Sequence, residues 1–133
     1  MRDTRDAVLA EWSAGTGQIA DVYTGENLEP DIADIDVDHV YPLAAAWDFG
    51  AHAWDARTRR AFANDAELNL VPVASAVNRE KSDLTPAEWL PPERDLRCPY
   101  SHRYLSVAAS WQLPISVDDW KAMADSCNIR ART

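Results

Sequence analysis

Between Ile35 and Leu43 the chain reads Ile-Asp-Val-Asp-His-Val-Tyr-Pro-Leu. Apolar and polar side chains alternate there, as they do along a strand with one buried face. Pro42 has no backbone N–H and limits the extension, so a strand of about six residues is predicted. Leu68 to Val73 is a second strand-like run, and Ser75 directly after it offers an N-cap to a helix carrying Asn78 and Lys81. Strand, long excursion, strand and helix therefore follow in order. Elements of this kind are stable only when their apolar faces are covered, so the flanking segments have to pack around them, and the pattern predicts an α+β fold.

The flanks read mostly as helices. Thr4 is positioned to cap a short helix through about Trp12, with Val8, Leu9 and Trp12 on one face. Residues 13 to 31 carry Gly15, Gly17, Gly25 and Pro30 and read as an irregular arm with one strand near Ile19 to Tyr23. Ala44 to Trp47 and Trp54 to Phe62 are predicted helical, the latter with Arg57, Arg59 and Arg60 outward, and Asn64-Asp65 closes it as a turn. Thr85-Pro86-Ala87-Glu88 has the form of a capping box opening a short helix that Pro91-Pro92 stops. Ser101 is predicted to cap the next helix, with Tyr104, Val107, Ala108 and Trp111 at the helical period. A last helix from about Asp118 to Cys127 turns Trp120, Met123, Ala124 and Cys127 inward.

At 133 residues the chain fits one domain, and 47% apolar side chains with six Trp argue for an ordered core. No apolar run approaches the roughly 18 residues of a membrane span. The opening Met-Arg-Asp-Thr-Arg-Asp is not followed by the apolar stretch of a signal peptide, so a soluble, cytoplasmic protein is expected. Cys98 and Cys127 are too few for a four-ligand zinc site by themselves, and two free thiols or one disulfide both remain open. The net charge of −9 argues against a polyanionic partner. Its distribution softens the objection: residues 1 to 38 hold ten acidic and two basic side chains, a net of −8, and the remainder holds twelve and eleven, a net of −1.

Hydrolysis of a phosphodiester near neutral pH needs a deprotonated water, a cation against the charge building on phosphate, and stabilisation of the leaving oxygen. A neutral His can take the proton. Asp and Asn oxygens are hard ligands suited to Mg²⁺ or Mn²⁺. Asp38, His39 and Asn78 supply all three residue types. An isolated Asp-His on a surface strand is commonplace, and adjacent strand residues face opposite ways, so both serve one site only where the strand bends or ends. His52 and His102 read as surface or capping residues, and Trp12, Trp111 and Trp120 as core.

Several stretches together carry a resemblance: Asp-Thr-Arg-Asp at 3 to 6, Tyr-Thr-Gly at 23 to 25, Asp-Val-Asp-His-Val at 36 to 40, Phe-Ala-Asn-Asp at 62 to 65, Asn-Leu at 69 to 70, Asn-Arg-Glu-Lys-Ser-Asp at 78 to 83 and Pro-Ala-Glu-Trp-Leu-Pro-Pro at 86 to 92. They resemble successive blocks of a family of bacterial and phage HNH endonucleases related to the C-terminal domain of the GmrSD restriction enzymes. The likeness runs from about residue 3 to Cys127. The core from Asp36 to Asp83 is also similar to the HNH domain of RNA-guided CRISPR nucleases, which has the same Asp-His followed by Asn-x-x-Lys.

The resemblance implies a ββα-metal (His-Me finger) core over about 35–83, wrapped by N- and C-terminal helices, the latter over 85–127, within a single HNH domain spanning 1–133. It implies DNA as substrate, His39 as general base, Asp38 and Asn78 as ligands of one divalent cation, and Asn69 holding the base and its loop in orientation. Lys81, Arg79 and Arg60 would meet the nucleic-acid backbone. Asn78 stands where the older motif has a final His, which moves the site from zinc toward Mg²⁺. Arg2 stands where relatives often have Cys, so one cross-link common in the family is unavailable. No base-reading element is evident, so specificity is either low or borrowed from a protein partner. The competing reading is a catalytically silent HNH-fold module that binds DNA or assembles a phage packaging or restriction complex, its acidic arm suited to a basic protein partner.

Overall fold

The computed structural model describes residues 3–31 and 34–129; Arg2 lies outside them. Two small antiparallel sheets and six α-helices make a mixed α/β arrangement among the described residues. Helix α1 (Thr4–Ser13) leads into strands β1 (Ile19–Ala20) and β2 (Asn27–Leu28), which pair with each other. The predicted strand through Tyr23 is cut to two residues because the chain turns back at Gly25, whose φ of +79° suits only glycine without strain. Asp3, not Thr4, caps α1 by accepting from the Asp6 N–H, and the Thr4 hydroxyl instead donates to Asn64 Oδ1.

Strand β3 (Ile35–His39) pairs with β4 (Leu70–Ala74), His39 opposite Leu70 and Ile35 opposite Ala74. Val37 faces Pro72. Val40 N–H bonds to the Asn69 carbonyl and Ser75 N–H to the Asp34 carbonyl, so the hydrogen-bonded pairs fall on even-numbered residues of β3 and Pro72 sits where the ladder asks for no donor. Between the two strands lie α2 (Leu43–Asp48), a 3₁₀ turn at Ala51–Ala53 and α3 (Ala56–Ala63). Helix α4 (Ser75–Lys81) follows β4 without a break.

The C-terminal part corrects three expectations. Thr85 to Trp89 makes a single turn, not a helix, because Pro91 and Pro92 follow at once, and the Ala87 N–H of that turn donates to the buried Asp119 carboxylate. Helix α5 runs over Arg97–Trp111, so Ser101 lies inside it and bonds back to the Arg97 carbonyl instead of capping. Helix α6 (Val117–Ser126) is capped by Ser116, and Trp120 is exposed rather than turned inward. The main core gathers Tyr23, Tyr41, Phe62, Val71, Val73, Tyr104, Val107 and Met123 beneath these helices. Tyr41 stacks on Tyr104 at 4.8 Å.

Two ties hold the flanking segments in place. Asp21, 1% exposed, accepts from Tyr23 N–H and Thr24 N–H through one oxygen and from Ala74 N–H through the other, so the β1–β2 turn is bolted to the end of β4. Cys98 and Cys127, left open in the sequence, are joined in a disulfide that ties α5 to the end of α6 across 29 residues. Replacing both cysteines with serine should lower stability by about 3.5 kcal/mol, from the entropy of that loop length. Asp21→Ala strands buried backbone donors and should cost about 3 kcal/mol. Urea denaturation of each variant beside the parent measures both.

Candidate active site

Asp36 and Asp38 share one face of β3, whereas Val37 and His39 point to the other. Helix α4 covers the carboxylate face. Ser75 Oγ donates to Asp36 Oδ1 at 2.8 Å and Asn78 Nδ2 donates to Asp36 Oδ2 at 2.9 Å. These donated bonds, that of Asn78 foremost, hold the Asp36 carboxyl below its usual 3.8 against the opposing effect of burial. One turn on, Lys81 Nζ meets Asp38 Oδ2 at 2.9 Å and donates to the His39 carbonyl at 3.0 Å. Residues at intervals of three on the helix thus match carboxylates at intervals of two on the strand.

A third group reaches Asp38. The Tyr23 hydroxyl donates to Asp38 Oδ2 at 2.8 Å. Burial, reinforced by the Asp38 charge, pushes this phenol well above 10.0, so it stays a donor. Lys81 is completely buried, and burial pulls its ammonium below 10.5 while Asp38 pulls the other way. The ammonium also lies 5.9 Å from the centre of the Tyr23 ring.

His39 leaves the opposite face of β3 toward α3. Its Nε2 is 2.8 Å from the Ala63 carbonyl oxygen. A carbonyl can only accept, so Nε2 carries the proton and Nδ1 keeps the lone pair. A base at this position acts through Nδ1.

Asn69 lies in the turn before β4, not within the strand, and has no exposed surface. Its Oδ1 accepts from Tyr41 N–H at 2.8 Å, its Nδ2 donates to the Tyr41 carbonyl at 3.2 Å, and its own carbonyl accepts from Val40 N–H at 2.9 Å. It therefore fixes Val40 and Tyr41, directly after His39.

The arrangement differs from the sequence expectation at Lys81. Lys81 does not face outward to meet phosphate, because its ammonium is sealed against Asp38. The two expected ligands of a cation have separate partners: Asn78 bonds to Asp36, and Asp38 bonds to Tyr23 and Lys81. Arg60 and Arg79 are exposed, on α3 and α4 respectively. Asp36 was legible from its period-two spacing to Asp38. Tyr23 was not, since only the tertiary fold carries the Asp21 turn to β3.

The polar groups left over bear on a metal. The Asp36 carboxylate can only accept, so Nδ2 is the atom of the Asn78 amide that faces it. The other atom, Oδ1, is buried without a hydrogen-bond partner, an arrangement that costs about 1–3 kcal/mol unless something compensates it. Among the described residues no three His, Cys, Asp or Glu side chains converge as a ligand cluster. Two carboxylates and an orphan amide oxygen nevertheless make a hard donor set of the kind Mg²⁺ uses, with water and phosphate completing the shell.

A small α/β domain with a paired-carboxylate helix–strand junction is the class these features define. The model for the family described as "GmrSD restriction endonucleases, C-terminal domain" matches residues 7–125, and the chain belongs to that family. A protein of Arthroderma benhamiae named "Uncharacterized secreted protein" is 35% identical over 97 residues, which is 72% of this chain and 48% of that protein. The chain therefore spans about half the length of that relative. No solved structure matches.

Breaking the Lys81–Asp38 pair leaves a buried charge uncompensated. Lys81→Met should lower stability by about 3 kcal/mol. Adding Asp38→Asn should restore part of the loss, and a double-mutant cycle in urea checks the coupling.

Proposed function

We propose that the chain is a metal-dependent HNH endonuclease or nickase that hydrolyses DNA phosphodiester bonds, with β3, β4 and α4 as its ββα-metal core and His39 as general base. The observation that carries this reading is the bond from His39 Nε2 to the Ala63 carbonyl, which leaves Nδ1 as the free basic nitrogen at the end of β3. The family's description as restriction endonucleases supports DNA as the substrate.

Asp38 and Asn78 would hold one divalent cation, Mg²⁺ or Mn²⁺, and the orphan Asn78 Oδ1 is the atom that gains a partner thereby. When bound, such an ion neutralises charge on the phosphate and the leaving oxygen. By occupying Nδ2, Asp36 turns the amide oxygen away from itself. His39 Nδ1 accepts the proton of the attacking water, and the Ala63 carbonyl, still accepting from Nε2–H, steadies the imidazolium that results. Asn69 keeps the backbone after His39 in place through Tyr41. Exposed Arg60 and Arg79 are suited to the DNA backbone, which positions a strand without reading it. Low sequence specificity, or specificity supplied by a protein partner, fits the lack of a base-reading element in this reading. The Cys98–Cys127 bond and the relative's name favour an oxidising compartment over the cytoplasm.

One observation favours the silent alternative, a DNA-binding or assembly module in a phage packaging or restriction complex. The Asp38 carboxylate is already paired with the buried Lys81 ammonium and bonded by Tyr23 at Oδ2, which weakens its pull on a second cation.

The discriminating experiment is cleavage of supercoiled, linear and single-stranded DNA with Mg²⁺ or Mn²⁺, beside EDTA. His39→Ala should lower the rate about 10³-fold. The same ions should raise the melting temperature of the parent and of His39→Ala, but not of Asn78→Ala. Undiminished cutting by His39→Ala would end the proposed mechanism, and stable protein with no cutting under any metal would favour the silent module.

A further inference from the structure

Beside His39, on the side away from the carboxylates, α2 and α3 enclose an open groove of about 220 Å³ walled by Leu43, Trp47, Trp54, Arg59, Phe62 and Ala63, among others. We propose that this groove is a subsite for one unstacked nucleobase of the DNA strand at the cleaved phosphodiester. The inference rests on the nuclease reading above and deepens it, because it names how the strand is gripped next to the base.

Position argues first. Ala63 lines the groove, and its carbonyl is the oxygen that holds His39 Nε2 at 2.8 Å. Leu43, another wall residue, opens the helix that follows β3 after Pro42. A ligand in the groove thus lies against the two segments that position the imidazole.

The chemistry of the walls argues second. Trp54 packs on Phe62 at 5.6 Å and on Trp111 at 5.9 Å, so the inner wall is fixed by the core. The outer wall is left in water: Trp47 is 51% exposed and Leu43 44%. Trp47 is held between neighbours, with the Arg59 guanidinium 5.5 Å from its ring centre and His52 meeting it edge-on at 6.0 Å. An indole held in this way, with half its surface uncovered, is a stacking platform for another flat ring.

Charge identifies the occupant. The whole chain has only 13 Lys and Arg against 22 Asp and Glu, yet three arginines fall at 57, 59 and 60 on the helix that forms one wall. Arg57 and Arg60 are exposed, and Arg59 lines the groove. An apolar slot with one arginine in its wall, in an acidic protein, fits a ligand that is itself a flat apolar ring on an anionic backbone. A purely apolar peptide would take the slot without using the Arg59 charge, which packs on Trp47 and donates to the Trp54 carbonyl but meets no carboxylate among the described residues. A nucleotide uses both.

Fluorescence anisotropy tests the proposal, with an end-labelled thymidine oligonucleotide and the matching abasic backbone, in EDTA so that nothing is cut. The parent should bind the thymidine oligonucleotide about 10-fold more tightly than the abasic one. Trp47→Ala should erase that preference while its affinity for the abasic backbone stays unchanged, and Trp47→Phe, which keeps a ring, should retain most of it. A preference that survives Trp47→Ala, or a parent with none, overturns the subsite. Failure of the nuclease reading shows separately, as a retained preference for bases with no cleavage when Mg²⁺ or Mn²⁺ is restored to the parent. In that outcome the groove stands as a nucleobase site in a binding module.

Discussion

Lys81 brings its ammonium to a place with no exposed surface, and there it meets the Asp38 carboxylate, the His39 carbonyl and the face of Tyr23. Removing a charge from water is costly, and the cost is offset only when geometry satisfies it fully. Helix α4 therefore cannot slide or rotate against β3 without stranding a buried charge. With Lys81 fixed on Asp38, the preceding turn of the helix necessarily falls on Asp36, and Asn78 and Ser75 reach that carboxylate. The position of the Asn78 amide oxygen is thus a consequence of an ion pair one turn away.

The other face of β3 obeys a different constraint. His39 is the last strand residue, and Tyr41, two residues on, is pinned by the Asn69 amide through both of its backbone polar atoms. The Tyr41 ring is in turn stacked on Tyr104 of α5, so the C-terminal helices bear on the end of β3 through this ring. The Cys98–Cys127 bond holds those helices together. Carboxylates and imidazole are each held by their own set of contacts, joined at the strand end where the Lys81 ammonium takes the His39 carbonyl.

The acidity of the N-terminal third acquires a local meaning in this arrangement. Asp3 caps α1, Asp21 bolts the β1–β2 turn to Ala74, and Asp36 and Asp38 receive donors from α4 and Tyr23. Several of the ten acidic side chains there are engaged by backbone or side-chain donors. Helix α3, which meets His39 through the Ala63 carbonyl, carries Arg57, Arg59 and Arg60, so a net charge of −9 coexists with a local cluster of cations.

Wherever the deciding forces are local, the sequence alone determined the outcome. Alternation set β3, the apolar run set β4, and the order strand, strand, helix placed Asp38, His39, Asn69 and Asn78 on or beside the elements they occupy. Capping preferences read in isolation were less secure. Ser75 gave its hydroxyl to Asp36 and Thr4 gave its hydroxyl to Asn64. In each case a partner remote in the chain competed for the same polar atom. Only the tertiary structure decided that Lys81 is buried, that Tyr23 touches Asp38, that the His39 proton sits on Nε2 and that the cysteines are joined. These outcomes depend on which groups are desolvated together, and desolvation is a property of the packed chain that no local pattern encodes.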